Sequence, residues 1–127
     1  MSTNAVPSLD RYIEAASEKK AQNLIVLDVR DLTSIADVFM ICSGRSNRQV
    51  NAIADAIIAR LKKHKIKPLS VEGTGEGHWI LLDYGHVIIH VFYEPVREFF
   101  DLEGLWADAK RIETPAQKKL QNSKNEA

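Results

Sequence analysis

From Trp79 to Phe92 the chain is almost continuously apolar and rich in β-formers, broken only at Tyr84-Gly85. A run of this kind folds as a hairpin, with Gly85 supplying the positive φ of a two-residue turn at Tyr84-Gly85. That turn pairs Asp83 with His86, Leu81 with Ile88 and Trp79 with His90. Alternation then places Ile80, Leu82, Val87, Ile89 and Val91 on one face, which is wholly aliphatic and must be core. The other face carries Trp79, Leu81, Asp83, His86, Ile88 and His90. A large aromatic among ionisable groups suits a contact surface, and it equally suits a face whose polar rim surrounds a packed helix.

The remaining elements follow from periodicity. Leu9, Tyr12, Ile13 and Ala16 form a helical stripe, with Ser8 placed to cap it. Leu24 to Val29 and Asp37 to Ser43 read as strands, joined antiparallel across the short polar stretch Arg30 to Ser34. Ser46 and Gln49 have capping-box spacing, and Val50, Ile53, Ile57 and Leu61 continue as the apolar stripe of a helix. Arg60, Lys62 and Lys63 suit the carboxyl end of its dipole. Beyond Pro68, Leu69 to Val71 reads as a third strand. Pro95 can open a final helix with a stripe of Leu102, Leu105, Trp106 and Ala109. The expected organisation is a flexible segment 1–8, one domain over 9–110 and a disordered tail over 111–127.

The chain has 127 residues, 45% of them apolar, which suits one soluble domain with its own core. No apolar run approaches the ~18 residues of a membrane span, and Met1 to Leu9 lacks the h-region of a secretory signal. One cysteine, Cys42, leaves no internal disulfide and points to a reducing, cytoplasmic setting. The formal net charge is zero, which argues against a general nucleic-acid coat. The charge is nonetheless segregated. Residues 45–67 hold seven bases and one acid, whereas 68–109 hold eight acids and one base, Arg97.

The usual chemistries find little support. Gly73, Gly75 and Gly77 precede a strand, carry two glutamates and lack the Lys of a phosphate loop. His86 and His90 lie about 13 Å apart along a strand at ~3.3 Å per residue, too far to share a zinc ion. Cys42 sits inside an apolar strand, where a thiol is a small core residue. Ser43-Gly44, between a strand and a helix, is the kind of turn that nucleotidyltransferases set against phosphates, with paired carboxylates holding Mg²⁺ nearby. Here Glu72 stands alone, with no Asp-x-Asp pair.

The run Ser34-Ile35-Ala36-Asp37-Val38-Phe39-Met40-Ile41-Cys42-Ser43-Gly44-Arg45-Ser46-Asn47-Arg48-Gln49-Val50, followed by Ala52-Ile53-Ala54-Asp55, resembles the signature of the ribosomal silencing factors, the Iojap family. Glu72-Gly73, Trp79 to Gly85, His90-Val91-Phe92, Leu102-Glu103 and Leu105-Trp106 match in order, so the resemblance spans about residues 9–109. It implies a single α/β domain with a mixed sheet of about five strands, flanking helices and nucleotidyltransferase-like topology. It further implies a protein without enzymatic activity or cofactor. Such a protein binds the large ribosomal subunit through its fourteenth protein, uL14, blocks joining of the small subunit and represses translation.

Carried over by residue, the resemblance points to Trp79, Leu81 and Asp83 as the contact stretch, extended by strand geometry to His86, Ile88 and His90. Glu94 is added as an acid that would guide a basic partner. Two departures stand out: His86 replaces a commonly acidic residue, and Gly104 replaces a helix former at a cost of roughly 1 kcal/mol against Ala. A nucleotide-handling enzyme that kept the Ser43-Gly44 turn is the alternative. A supporting contact to ribosomal RNA through Arg45, Arg48, Arg60, Lys62, Lys63, Lys65 and Lys67 is a further expectation, and an exposed Trp79 face offers the free protein a route to homodimers.

Overall fold

Every residue of the strand Val38–Gly44 is buried, so its sequence shows no inside-outside alternation. A computed structural model describes residues 9–17, 21–114 and 117, and puts this strand near the middle of the sheet. In chain order the elements are α1 (Leu9–Ser17), β1 (Gln22–Asp28), β2 (Val38–Gly44), α2 (Asn47–Lys62), β3 (Ser70–Glu72), β4 (Trp79–Asp83), β5 (Val87–Tyr93), α3 (Glu94–Phe100), α4 (Leu102–Leu105) and β6 (Lys110–Arg111). The sheet has six strands rather than about five, in the order β3-β4-β5-β2-β1-β6. β2 pairs with β5 in parallel and with β1 antiparallel, which makes the sheet mixed.

One face of the sheet is covered by α1 and α2. Tyr12, Ile13 and Ala16 from α1, with Val50, Ile53, Ala54, Ile57 and Leu61 from α2, pack on Met40, Cys42, Ile80, Leu82, Val87, Ile89 and Val91. Burying each of the four large aliphatic side chains of α2 contributes roughly 1.5–3 kcal/mol. Ser46 caps α2, its hydroxyl accepting the Gln49 N–H. The return contact of the expected capping box shifts by one residue, because Gln49 Oε1 accepts from Arg45 N rather than Ser46 N. Ser8, the expected cap of α1, lies outside the described residues.

At its carboxyl end α2 turns through Lys65, whose φ is 63°. The Ile66 N–H returns to Leu61 O and the Lys65 N–H to Lys62 O. This is the closure that normally places Gly in the left-handed position, so a lysine there costs roughly 1–2 kcal/mol.

The hairpin register differs from the expected one. Trp79 pairs with Phe92, Leu81 with His90 and Asp83 with Ile88, two residues out of the predicted pairing. The turn residues are Gly85 and His86, closed by the Tyr84 N–H to Val87 O bond at 2.9 Å. Gly85 has φ 90° at the first turn position, where a type II′ turn requires a positive value. Because the shift is even, each strand residue keeps its predicted face. The glycine loop is a connection as expected: a Cβ on Gly73 would lie 2.0 Å from Trp79 O, so only glycine lets the chain pass β4 that closely.

The single helix predicted from Pro95 to Ala109 is two short ones. Pro95 opens α3, but Asp101 adopts φ 46° and ends it. The Asp101 carboxylate then caps α4 by accepting the Gly104 N–H. Leu102, Trp106 and Ala109 pack on the sheet, whereas Leu105 leaves the predicted stripe and is 76% exposed. Gly104 is also reinterpreted, since a Cβ there would lie 2.2 Å from the Asp101 carboxylate. The expected penalty against Ala is therefore offset by the cap that Ala would displace. Residues 111–114, assigned to a disordered tail from sequence, continue the sheet edge. Arg111 pairs with Leu27, the Ile112 N–H donates to Val26 O and Thr114 is buried. The rest of that tail, 115–116 and 118–127, lies outside the described residues.

Candidate partner-docking surface

The second face of the sheet is built from Ile25, Leu27, Phe39, Ile41, Ile88 and Phe92, with Val96, Leu102 and Trp106 laid over part of it. Of the two readings left open by sequence, the packed helix holds for part of this face. The short helices cover the end near Phe92 and Phe39, and the Trp79–Leu81 side stays partly open.

Trp79 organises the open side. Its indole lies 4.8 Å from the Phe92 ring and 5.2 Å from the Phe100 ring, centroid to centroid. Its Nε1–H donates to His90 Nδ1 at 3.1 Å. Phe100 in turn meets Phe99 edge-on at 5.1 Å. Phe99 is 81% exposed and Phe100 is exposed beside it, and Leu105, on α4, is exposed as well. The result is an aromatic ledge that starts in the core at Phe92 and ends in solvent at Phe99. Exposed Glu98 and Asp101 and partly exposed Glu103 lie on the same helices.

The seven residues predicted from sequence separate in the structure. Trp79, Leu81 and Asp83 are half-buried on one strand, as expected for a contact stretch. Ile88 and His90 share their face but are 8% and 6% exposed, so they form its floor rather than its surface. His86 is not on this face. It is a turn residue whose ring lies 6.0 Å from Tyr12 of α1, toward the opposite layer. Glu94 begins α3 at the far end of β5, about 20 Å from Ile88 at ~3.3 Å per residue. It lines an open cleft of about 440 Å³ with Ser43, Arg97, Glu103 and Arg111. Phe99, Phe100 and Leu105 were missed by sequence reading. The Phe-Phe pair held the signal, since neighbours on a helix point ~100° apart and cannot both face the sheet.

His90 is held neutral by its site. Burial pushes its pKa down to about 4. Because Nδ1 accepts the Trp79 bond, the imidazole proton sits on Nε2, which is buried without a partner among the described residues. A second proton would have to enter at Nδ1 and break the indole bond.

The cleft near Ser43-Gly44 is where the nucleotide-handling alternative would operate. Arg97, the one base of the acidic segment, is buried there. Its guanidinium donates to both carboxylate oxygens of Glu103 at 2.9 and 3.1 Å, to Asn23 O at 2.8 Å and to Ser43 Oγ at 2.9 Å. Ser43 Oγ also donates to Gln22 O at 3.4 Å. Donor and acceptor of this hydroxyl are thus spent inside the protein, not offered to a phosphate. Among the described residues no group of three or more His, Cys, Asp or Glu is placed to hold a metal ion.

Comparison with known proteins bears on these features. Residues 2–127 match the profile of the family described as "Ribosomal silencing factor during starvation". The Bacillus subtilis ribosomal silencing factor RsfS is 39% identical over 95 residues, spanning 75% of this chain and 80% of that protein. The chain belongs to the ribosomal silencing factor family. Its plant relatives include the chloroplastic Iojap protein of Zea mays, 36% identical over 80% of this chain and 44% of the longer plant protein. A crystal structure of a Chromobacterium violaceum protein superposes with TM-score 0.74 at 37% identity, covering 77% of this chain and 82% of that one. A Bacillus halodurans crystal structure gives the same score at 32% identity and covers 84% and 96%. The α/β fold of these solved structures is the fold described above. In this ribosomal silencing factor, the exposed pair Phe99–Phe100, with exposed Glu98 and Asp101 on either side of it in sequence, is the surface most open to a partner.

Proposed function

We propose that this protein represses translation by docking its Trp79-centred ledge on the large ribosomal subunit through ribosomal protein uL14, so that its own bulk blocks the small subunit. The ledge supports this reading. Exposed Phe99 and Phe100 form an apolar anchor continuous with half-buried Trp79, and Leu105 on the next helix adds a further exposed apolar side chain. Aromatic anchors of this kind dominate interface energetics. Of the acids on and between α3 and α4, Glu103 is paired by Arg97, whereas Glu98 and Asp101 are exposed and have no ion-pair partner among the described residues. Such a surface steers toward a basic protein and raises its association rate.

The mechanism is steric and asks no bond chemistry of the chain. No helix among the described residues is long and apolar enough to cross a membrane, and the site of action would be the cytoplasm, where subunits meet. Purified large subunits provide the test. The wild type should co-sediment with them and lower the yield of joined ribosomes in proportion to occupancy. Co-sedimentation without any effect on joining would contradict the steric mechanism.

A further inference from the structure

The seven bases of residues 45–67 do not form one surface. Arg45 and Arg48 flank the amino end of α2, about 20 Å from Lys62 at ~1.5 Å per helical residue. Arg60 pairs with Glu14 at 3.1 Å. At the other end Lys62, Lys63, Lys65 and Lys67 are all exposed, and none has an ion-pair partner among the described residues. His64, between them, contacts Arg11, which adds another positive group.

Three observations give this end a direction. The lysines are held rather than loose, because the Ile66 and Lys65 backbone bonds close the turn and Ile66 packs against the core. Lys65 occupies the left-handed position that glycine would fill without strain. The patch adjoins one end of the contact strand: two residues beyond Lys67, the Leu69 N–H donates to Asp83 O, about 13 Å along β4 from Trp79 at ~3.3 Å per residue. The charges are point-like ammonium groups without the Arg forks or stacking aromatics that read bases, so they suit a phosphate backbone without regard to sequence.

We infer that Lys62, Lys63, Lys65 and Lys67 form a phosphate-backbone contact for ribosomal RNA, engaged at the Asp83 end of β4 when the protein docks. The proposal rests on the docking reading for its setting, and its own content is the RNA contact. It assigns the opposed charges to two separate surfaces, toward opposite ends of β4: the acidic ledge meets protein and the lysine turn meets RNA.

The test compares the wild type with a K62Q/K63Q/K65Q/K67Q variant on purified large subunits at 50 and 200 mM salt, and on protein-free large-subunit RNA. Each phosphate contact contributes about 0.7–0.9 to the slope of log affinity against log salt. The variant's slope should be shallower by about 3, and its subunit affinity at 50 mM salt at least about tenfold weaker. It should also lose affinity for the protein-free RNA, whereas an F99S/L105S variant should keep it. Equal salt slopes, or equal RNA affinity of the lysine variant and the wild type, would overturn the proposal. If the wild type binds RNA through these lysines but not intact subunits, the docking reading fails and the RNA contact stands. If it binds subunits with a slope the lysines do not affect, the RNA contact fails and the docking reading stands.

Discussion

His90 shows how one side chain ties the core to the docking face. Its folded pKa of about 4 lies below the ordinary histidine value of 6.5. Between those values the unfolded chain takes up a proton that the folded chain refuses, so stability falls as pH drops from about 6.5 and levels off below about 4. The full effect is about 3 kcal/mol. A His90→Leu variant should lose this pH dependence, as read by urea unfolding at pH 7 and 4.5. Parallel curves for the two proteins would show that His90 is not the group responsible. Cys42 makes a complementary prediction. Full burial pushes its thiol up to about 12, so a thiol-specific reagent should label it only as fast as the protein opens. Arg97 is a costly residue to lose. Arg97→Met leaves Glu103 and the Ser43 hydroxyl without their partner, and thermal or urea unfolding should register a loss of about 3 kcal/mol.

At the scale of elements, what was legible in sequence depended on whether periodicity or a single special residue decided the outcome. The helix α2 and the antiparallel pairing of β1 with β2 follow from long apolar patterns and a short polar connection, and both are present. The hairpin faces were legible because alternation survives an even register shift, while the register itself hung on which residue follows the turn. Gly85 serves either the second position of one turn or the first of the next, and only the Tyr84 to Val87 bond decides. The α3–α4 break was invisible because Asp101 adopts a left-handed conformation that is rare outside glycine and asparagine. β6 was missed because two residues carry no period at all. For the same reason half of the candidate site was readable: Trp79, Leu81 and Asp83 lie on a strand, whereas Phe99, Phe100 and Leu105 depend on that break. Asp101→Ala should therefore destabilise the fold by only about 1 kcal/mol, the value of one lost cap, yet displace the ledge and weaken subunit binding disproportionately. Comparing urea midpoints with sedimentation of the same variant separates the two effects.

Over the whole molecule, zero net charge is the sum of two surfaces that point to different partners. The acidic segment 68–109 has its only base buried, and the lysine turn after α2 has no acid paired to it among the described residues. A ribosomal subunit offers basic protein and phosphate side by side, which such a molecule can meet at once. The aromatic ledge within the acidic segment is the anchor on which the proposed docking depends. Its outer residues are exposed, so Phe99→Ser and Leu105→Ser should each change folding stability by less than about 0.5 kcal/mol. The most direct measurement is therefore co-sedimentation of the wild type and the F99S/L105S variant with purified large subunits, with subunit joining followed in parallel. The account predicts that the wild type co-migrates and suppresses joining, while the variant binds at least about 30-fold more weakly, as expected for loss of about 2 kcal/mol at an anchor, and permits joining. Equal binding and equal suppression by the two proteins would contradict it.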